Sequence, residues 1–362
     1  MLQEDVFIII FKYFTFYSKH TFHKLSKKAN QLKIIDLYRI ETKYLEKLND
    51  KIIHNYRYLE KLKADQNLSI TYLNFKNLKE LSICGKCGID SNDRLKNLKL
   101  ITLKLDYNRF ITNLNHLTTL KYLSICGYSG VDNDGIKKLD LKVLCCNDNK
   151  KIIDINHMTK LKILHAEFRC GITNCGIMKL DPIALHLNMN INITDINHMT
   201  NLKILHACDG CALSNIGIRN INPEILTINN NMVITDINHM TNLKFLSASS
   251  AKFTRCIGDI GIKSLNLYGL DVNDNENITN LNYMTNLMIL NACGKSGVSD
   301  DGIKNLSIPF LNSRNNHKIT QKPNVSCEQN INNLCRILLE SFDHYDYYSA
   351  ILQCLQHDTK LE

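Results

Sequence analysis

Ile193–Lys203 reads ITDINHMTNLK, and Ile234–Lys244 repeats it letter for letter. Variants of this string put its leading isoleucine at Ile70, Ile111, Ile152, Ile193, Ile234, Ile278 and Ile319, so that five of the six spacings are 41 residues and one is 44. The longer spacing carries three inserted residues near Phe253–Ile257. A fixed period of this length is the mark of a solenoid, in which each unit buries its apolar face only against its neighbours.

The 41-residue unit is itself two repeats. The shorter begins at Leu59, Leu100, Leu141, Pro182, Pro223, Leu267 and Ile308 and reads LxxLxLxxNxxITxI. The longer begins at Leu78, Leu120, Leu161, Leu202, Leu243 and Leu287 and reads LxxLxIxxxxxVxxxGIxxL. This pattern resembles the leucine-rich repeat from Leu59 to Ser326. The resemblance implies one short strand per unit and an α/β solenoid with a curved parallel sheet. Thirteen units at about 4.8 Å per strand predict a sheet roughly 60 Å long. The later half of the longer unit, VDNDGI at Val131–Ile136 and VSDDGI at Val298–Ile303, is similar to the cysteine-containing subclass often found behind F-box motifs. Asn67, Asn108, Asn149, Asn190, Asn231, Asn275 and Asn316 recur nine residues into the shorter unit, where a column of short amides suits buried turn backbone that must find partners. Gly135, Gly176, Gly217, Gly261 and Gly302 recur where a tight turn excludes a Cβ.

The composition bounds the function. A chain of 362 residues with 44% hydrophobic content can build a large core, and its wealth of Ile, Asn and Lys without Trp points to an AT-rich genome, that of a protist or a large DNA virus. Fourteen cysteines with no signal-peptide pattern indicate a reduced, cytoplasmic setting, the host cytoplasm for a viral protein. The apolar run Val6–Phe11 is too short to span a bilayer, so no membrane role is expected. The net charge of +9 is uneven: residues 1–63 hold 13 Lys or Arg against 7 Asp or Glu. Lys24, Lys27 and Lys28 form the densest basic group, which reads as a solvated helical face rather than a nucleic-acid site.

Leu2, Val6, Ile9, Ile10, Tyr13 and Phe14 recur at helical spacing. The stretch LQEDVFIIIFKYF resembles the opening of the F-box, LPxExLxxIFxYL, with Gln3 at the usual proline, and Leu25-Ser26-Lys27-Lys28 is similar to its closing V-[SC]-K segment. The resemblance implies docking of a Skp-type adaptor, and through it a cullin ubiquitin ligase, by Leu2, Val6, Ile9, Ile10, Phe11 and Phe14. The repeats would then select the substrate, and the protein would be a connector rather than an enzyme. The expected order is an F-box-like helical segment over 1–35, a helical connector over 36–58, repeats over 59–327 and a helical cap over 328–362. Without an adaptor, the same chain reads as a plain interaction scaffold.

In a leucine-rich repeat the third, fifth and seventh residues of each unit face the concave side. The third place gives Ile163, Ala184, Ile204, Ile225, Phe245, Gly269, Ile289 and Phe310, an apolar stripe expected to be exposed for a partner. The fifth place gives His165, His186 and His206 on three successive strands, about 5 Å apart. Glu167 and Cys208 hold the seventh place on two of them. These are zinc or copper ligand types, but a pH-sensitive recognition patch is the preferred reading, with no metal and no cofactor. Cys84–Cys87 and Cys208–Cys211 form CxxC strings explained by repeat phase, and His116, His157, His198 and His239 recur as framework, with Tyr283 in their place one unit later.

Overall fold

The strand in every repeat is the three-residue centre of LxxLxL, where leucine alternates with a residue facing the other way. The computed structural model describes residues 36–37, 46–54, 56, 58–250 and 256–320. Within them lie β1 (Asp36–Leu37), β2 (Lys61–Lys63), β3 (Glu80–Ser82), β4 (Thr102–Lys104), β5 (Tyr122–Ser124), β6 (Val143–Cys145), β7 (Ile163–His165), β8 (Ala184–His186), β9 (Ile204–His206), β10 (Ile225–Thr227), β11 (Phe245–Ser247), β12 (Gly269–Asp271), β13 (Ile289–Asn291) and β14 (Phe310–Asn312). The chain divides into two compact units, the first ending near Leu161 and holding β1–β6, the second holding β7–β14. In each, successive strands pair in parallel without a register slip, as Leu103 with Leu123 in the first and Leu205 with Leu226 in the second.

The repeat leucines form the core. Leu100, Leu103 and Leu105 are fully buried, as are Leu185 and Leu187. Each such side chain contributes about 1.5–3 kcal/mol on leaving water. Chain return is made by one-turn helices such as Asn133–Ile136, Asn174–Ile177 and Asp300–Ile303, whose isoleucines point inward.

The asparagine column is a hydrogen-bonded ladder. Each Nδ2 donates to a carbonyl of the preceding turn: Asn108 to Ile83 (2.9 Å), Asn149 to Ile125 (2.8 Å), Asn231 to Ala207 (2.9 Å), Asn316 to Ala292 (2.9 Å). Each Oδ1 accepts from backbone N–H groups just downstream, as from Phe110 and Ile111, or Val233 and Ile234. A second ladder runs on the outer side. Asp50, Asn92, Asn174, Asn215, Asp259 and Asp300 each accept from the backbone of Thr71, Thr112, Thr194, Thr235, Thr279 and Thr320.

The recurrent glycines are needed for close approach rather than turn conformation. A Cβ on Gly135, Gly217, Gly261 or Gly302 would lie 2.0–2.1 Å from the carbonyl oxygen of Thr112, Thr194, Thr235 or Thr279. The left-handed glycines, among the described residues, are instead Gly85, Gly127, Gly210 and Gly294.

Part of the segment expected as a helical connector is solenoid. Leu37 pairs with Leu62 on β2 and is buried, and Asp50–Ile53 is a return helix of the same kind as those downstream. Asn67 donates to Leu48 as later asparagines donate to their own preceding turns, so the repeat pattern begins ahead of Leu59. The F-box-like segment over 1–35 and the helical cap over 328–362 lie outside the described residues.

Candidate functional site

The histidine column stands where the spacing put it. The rings of His165 and His186 stack with centroids 4.0 Å apart at 14°, and those of His186 and His206 at 4.5 Å and 6°. All three are buried, with 7%, 1% and 2% exposure. Burial, reinforced by His165 and His206, holds His186 well below the usual imidazole range, and burial with His165 pushes His206 down to about 3. This corrects the expectation of a patch that titrates near neutrality: His186 and His206 are neutral there. Stacking also decides against a shared metal ion. Imidazole lone pairs lie in the ring plane, and nearly parallel planes offer no common point at which three nitrogens converge.

The third-place stripe is also corrected. Ile163, Ala184, Ile204, Ile225 and Ile289 are buried rather than exposed, and Phe245 and Phe310 are half-buried. The pairs Ile163–Ala184, Ala184–Ile204 and Ile204–Ile225 lie directly opposite in the ladder. At the strand spacing, same-place neighbours flank each side chain and exclude water along the row. Phe245 extends over Gly269, where a Cβ would meet its ring at 2.5 Å, and it meets Tyr268 edge-on at 6.1 Å. Of the seventh-place residues, Glu167 is half-buried and accepts from Asn188 Nδ2 at 2.6 Å, while Cys208 is buried.

Of the CxxC cysteines, Cys87, Cys208 and Cys211 are buried and Cys84 is half-buried. Burial pushes Cys84 and Cys208 up to about 12 and Cys211 up to about 11. The outer histidines are framework: His157, His198 and His239 each bond through Nε2 to the carbonyls of Ile136, Ile177 and Ile218 at 3.0–3.2 Å. Tyr283 replaces them because its hydroxyl donates to the equivalent carbonyl of Ile262 at 3.2 Å.

Another set of side chains was missed from sequence. The eighth place of nine repeats adopts a left-handed backbone, with φ between 53° and 62° at Gln66, Tyr107, Asp148, Phe168, Met189, Asp209, Asn230, Asp274 and Asn315. Glycine, asparagine and aspartate suit that conformation, and bulky side chains do not. Yet Tyr107, Phe168 and Met189 occupy it, and they are 58%, 43% and 48% exposed. Exposed apolar neighbours extend both places. In the first unit these are Phe110 and Tyr128, with the Arg109 guanidinium 5.4 Å from the Tyr128 ring centre; in the second, Ile191. The Tyr107 ring lies over Gly127, where a Cβ would meet it at 2.3 Å. The signal was present as three bulky exceptions in a column otherwise filled mainly by Gly, Asp and Asn.

No family model matches the chain, and no curated protein matches it. Among solved structures, it is similar to an internalin from Listeria monocytogenes at 19% identity, over 74% of this chain and 84% of that one, with a TM-score of 0.44. The functional domain of InlJ from Listeria monocytogenes, which includes a cysteine ladder, is 20% identical over 73% of this chain and 60% of its own, with a TM-score of 0.43. The leucine-rich-repeat protein LIC12759 of Leptospira interrogans is 16% identical over 87% and 97%, with a TM-score of 0.34. These likenesses carry no argument about function. The strand pairing and the asparagine ladder stand on the chain's own geometry, and within each unit they stack leucine-patterned turns into a parallel sheet. No helix of the described residues is long and apolar enough to cross a membrane.

Proposed function

We propose that this chain is a receptor that holds a partner protein on its repeats and a Skp-type adaptor, with its cullin ligase, on its N-terminal segment. The observation that carries the target half is the exposed apolar row at the left-handed place, Phe168 and Met189 followed by Ile191. A bulky side chain there costs the fold backbone strain and leaves apolar surface in water, so folding alone gives no reason to keep it. The strand face supplies the floor beside it: Ile163, His165, His186, Ile204, His206, Cys208, Ile225 and Ile289 are packed, and Glu167, Phe245 and Phe310 are the more accessible members. The adaptor half rests on the F-box-like run that contains Leu2, Val6, Ile9, Ile10, Phe11 and Phe14. A scaffold without a ligase link is the second reading, favoured by the fact that the solenoid alone accounts for the target half.

The Phe168→Asn, Met189→Asn double variant tests the target surface. Asparagine tolerates the left-handed backbone, so the variant is expected to be more stable than the parent, by about 0.5–1 kcal/mol per site in urea unfolding. The same variant is expected to lose capture of the proteins that the parent co-precipitates from cell extract. A loss of stability would mean that these side chains serve packing, and unchanged capture would remove them from the target surface.

A further inference from the structure

The stagger between neighbouring strands brings the seventh residue of one repeat against the fifth residue of the next. Three such diagonals are closed by hydrogen bonds: Ser82 Oγ donates to Asp65 at 2.6 Å, Ser124 Oγ to Asp106 at 2.6 Å, and Ser247 Oγ to Asn229 at 2.8 Å. On the diagonal between β5 and β6 both residues are cysteines. Cys126 Sγ and Cys145 Sγ stand 3.1 Å apart, and both thiols are free. The backbone on either side is fixed, because Ile125 N donates to Cys145 O and Gly127 N to Asn147 O, each at 2.8 Å. A disulfide needs the sulfurs about 1 Å closer, a movement that side-chain rotation supplies. Both residues are half-buried on the strand face, so a small reagent can reach them. The other close pair, Cys146 and Cys170, is separated by 3.6 Å and buried in the core.

We propose that Cys126 and Cys145 are a dithiol modification site that closes to a disulfide by exchange with a low-molecular-weight disulfide, tying two consecutive turns together. In the first step the Cys145 thiolate attacks one sulfur of the reagent. The reagent's S–S bond breaks, and one reagent thiolate leaves and takes up a proton. In the second step Cys126 gives its proton to solvent and attacks the Cys145 sulfur, and the second reagent thiolate leaves and is protonated. Two protein S–H bonds are lost and one S–S bond forms, while the reagent is reduced to two thiols. The order follows from the surroundings of Cys126. Its thiol is held well above the usual range, first by the hydrogen bond with Cys145, then by burial and the Asp106 carboxylate. Capping Cys145 removes the largest of these causes, and only then does Cys126 become the attacking group.

The test uses the full chain incubated with oxidised glutathione at neutral pH and then digested without reduction. Two of the 14 thiols are expected to be lost, with a cross-link joining tryptic peptide Tyr122–Lys137 to Val143–Lys150. Because Val143–Lys150 contains both Cys145 and Cys146, the link is expected to persist in Cys146→Ala and to vanish in Cys145→Ser. A full complement of thiols would overturn the proposal. So would a link from Val143–Lys150 to the peptide bearing Cys170, or glutathione adducts on Cys126 and Cys145 without a link between them.

Discussion

Acidification from pH 7 to pH 5 is expected to remove about 4 kcal/mol of folding stability through two side chains of the stacked column. His186 and His206 are buried, and burial holds both below the unfolded value of about 6.5, His206 at about 3. Between these limits the unfolded chain binds protons that the folded chain refuses. Stability therefore rises with pH across the window: it is fully present above about 6.5 and is lost as pH falls toward the folded value. The slope is about 1.4 kcal/mol per pH unit for each histidine, so two of them approach 3 kcal/mol per unit. Against a total of about 5–15 kcal/mol for a folded domain, a loss of this size removes about a quarter of the stability or more. Asp271 works in the opposite direction, since burial raises it and the folded form gains its proton first on acidification. Urea midpoints measured across this range for the parent and for His186→Phe, His206→Phe check the assignment. The variant keeps the stacked rings without their titration, and its curve is expected to be much flatter. An equal acid slope in the variant would place the loss elsewhere.

Asn231→Ala is expected to cost about 3–5 kcal/mol. The side chain is 1% exposed, donates to Ala207 O at 2.9 Å and accepts from Val233 N and Ile234 N at 2.9 Å. Its removal leaves a carbonyl and two N–H groups buried without those partners, each costing about 1–3 kcal/mol with some relief from relaxation. Because each repeat is held only by its neighbours, the break is also expected to lower the urea m-value as the two sides of the defect uncouple. Asn220→Ala is the control, since Asn220 is exposed, and a change within about 0.5 kcal/mol is expected there. A cost below about 1 kcal/mol for Asn231→Ala would mean that the ladder is not what joins the turns.

What was legible in the sequence was whatever repeats in place. The strands fall on the leucine pattern, the asparagines of the column are buried, and the His165, His186 and His206 rings stack at the strand spacing, because each follows from counting within one unit. What depends on neighbouring units was harder to read. Ile204 and Ile225 looked exposed because alternation along a strand says which way a side chain points, not how closely the next row flanks it. The Cys126–Cys145 contact is diagonal, so comparing residues at the same place in each unit passed over it. Asp50 belongs to the outer ladder, but the leucines that would have marked its unit are not in phase before Leu59. Tyr107, Phe168 and Met189 break the pattern of their column instead of repeating it, so periodicity gives no sign of them.

Binding of the full chain to a purified Skp-type adaptor, set against an Ile10→Asp, Phe11→Asp variant with unchanged solenoid unfolding, tests the connector reading most directly. The reading predicts saturable binding by the parent and its loss in the variant. Absence of binding by the parent, or equal binding by both, would contradict it and leave a repeat scaffold whose one partner is held on the solenoid.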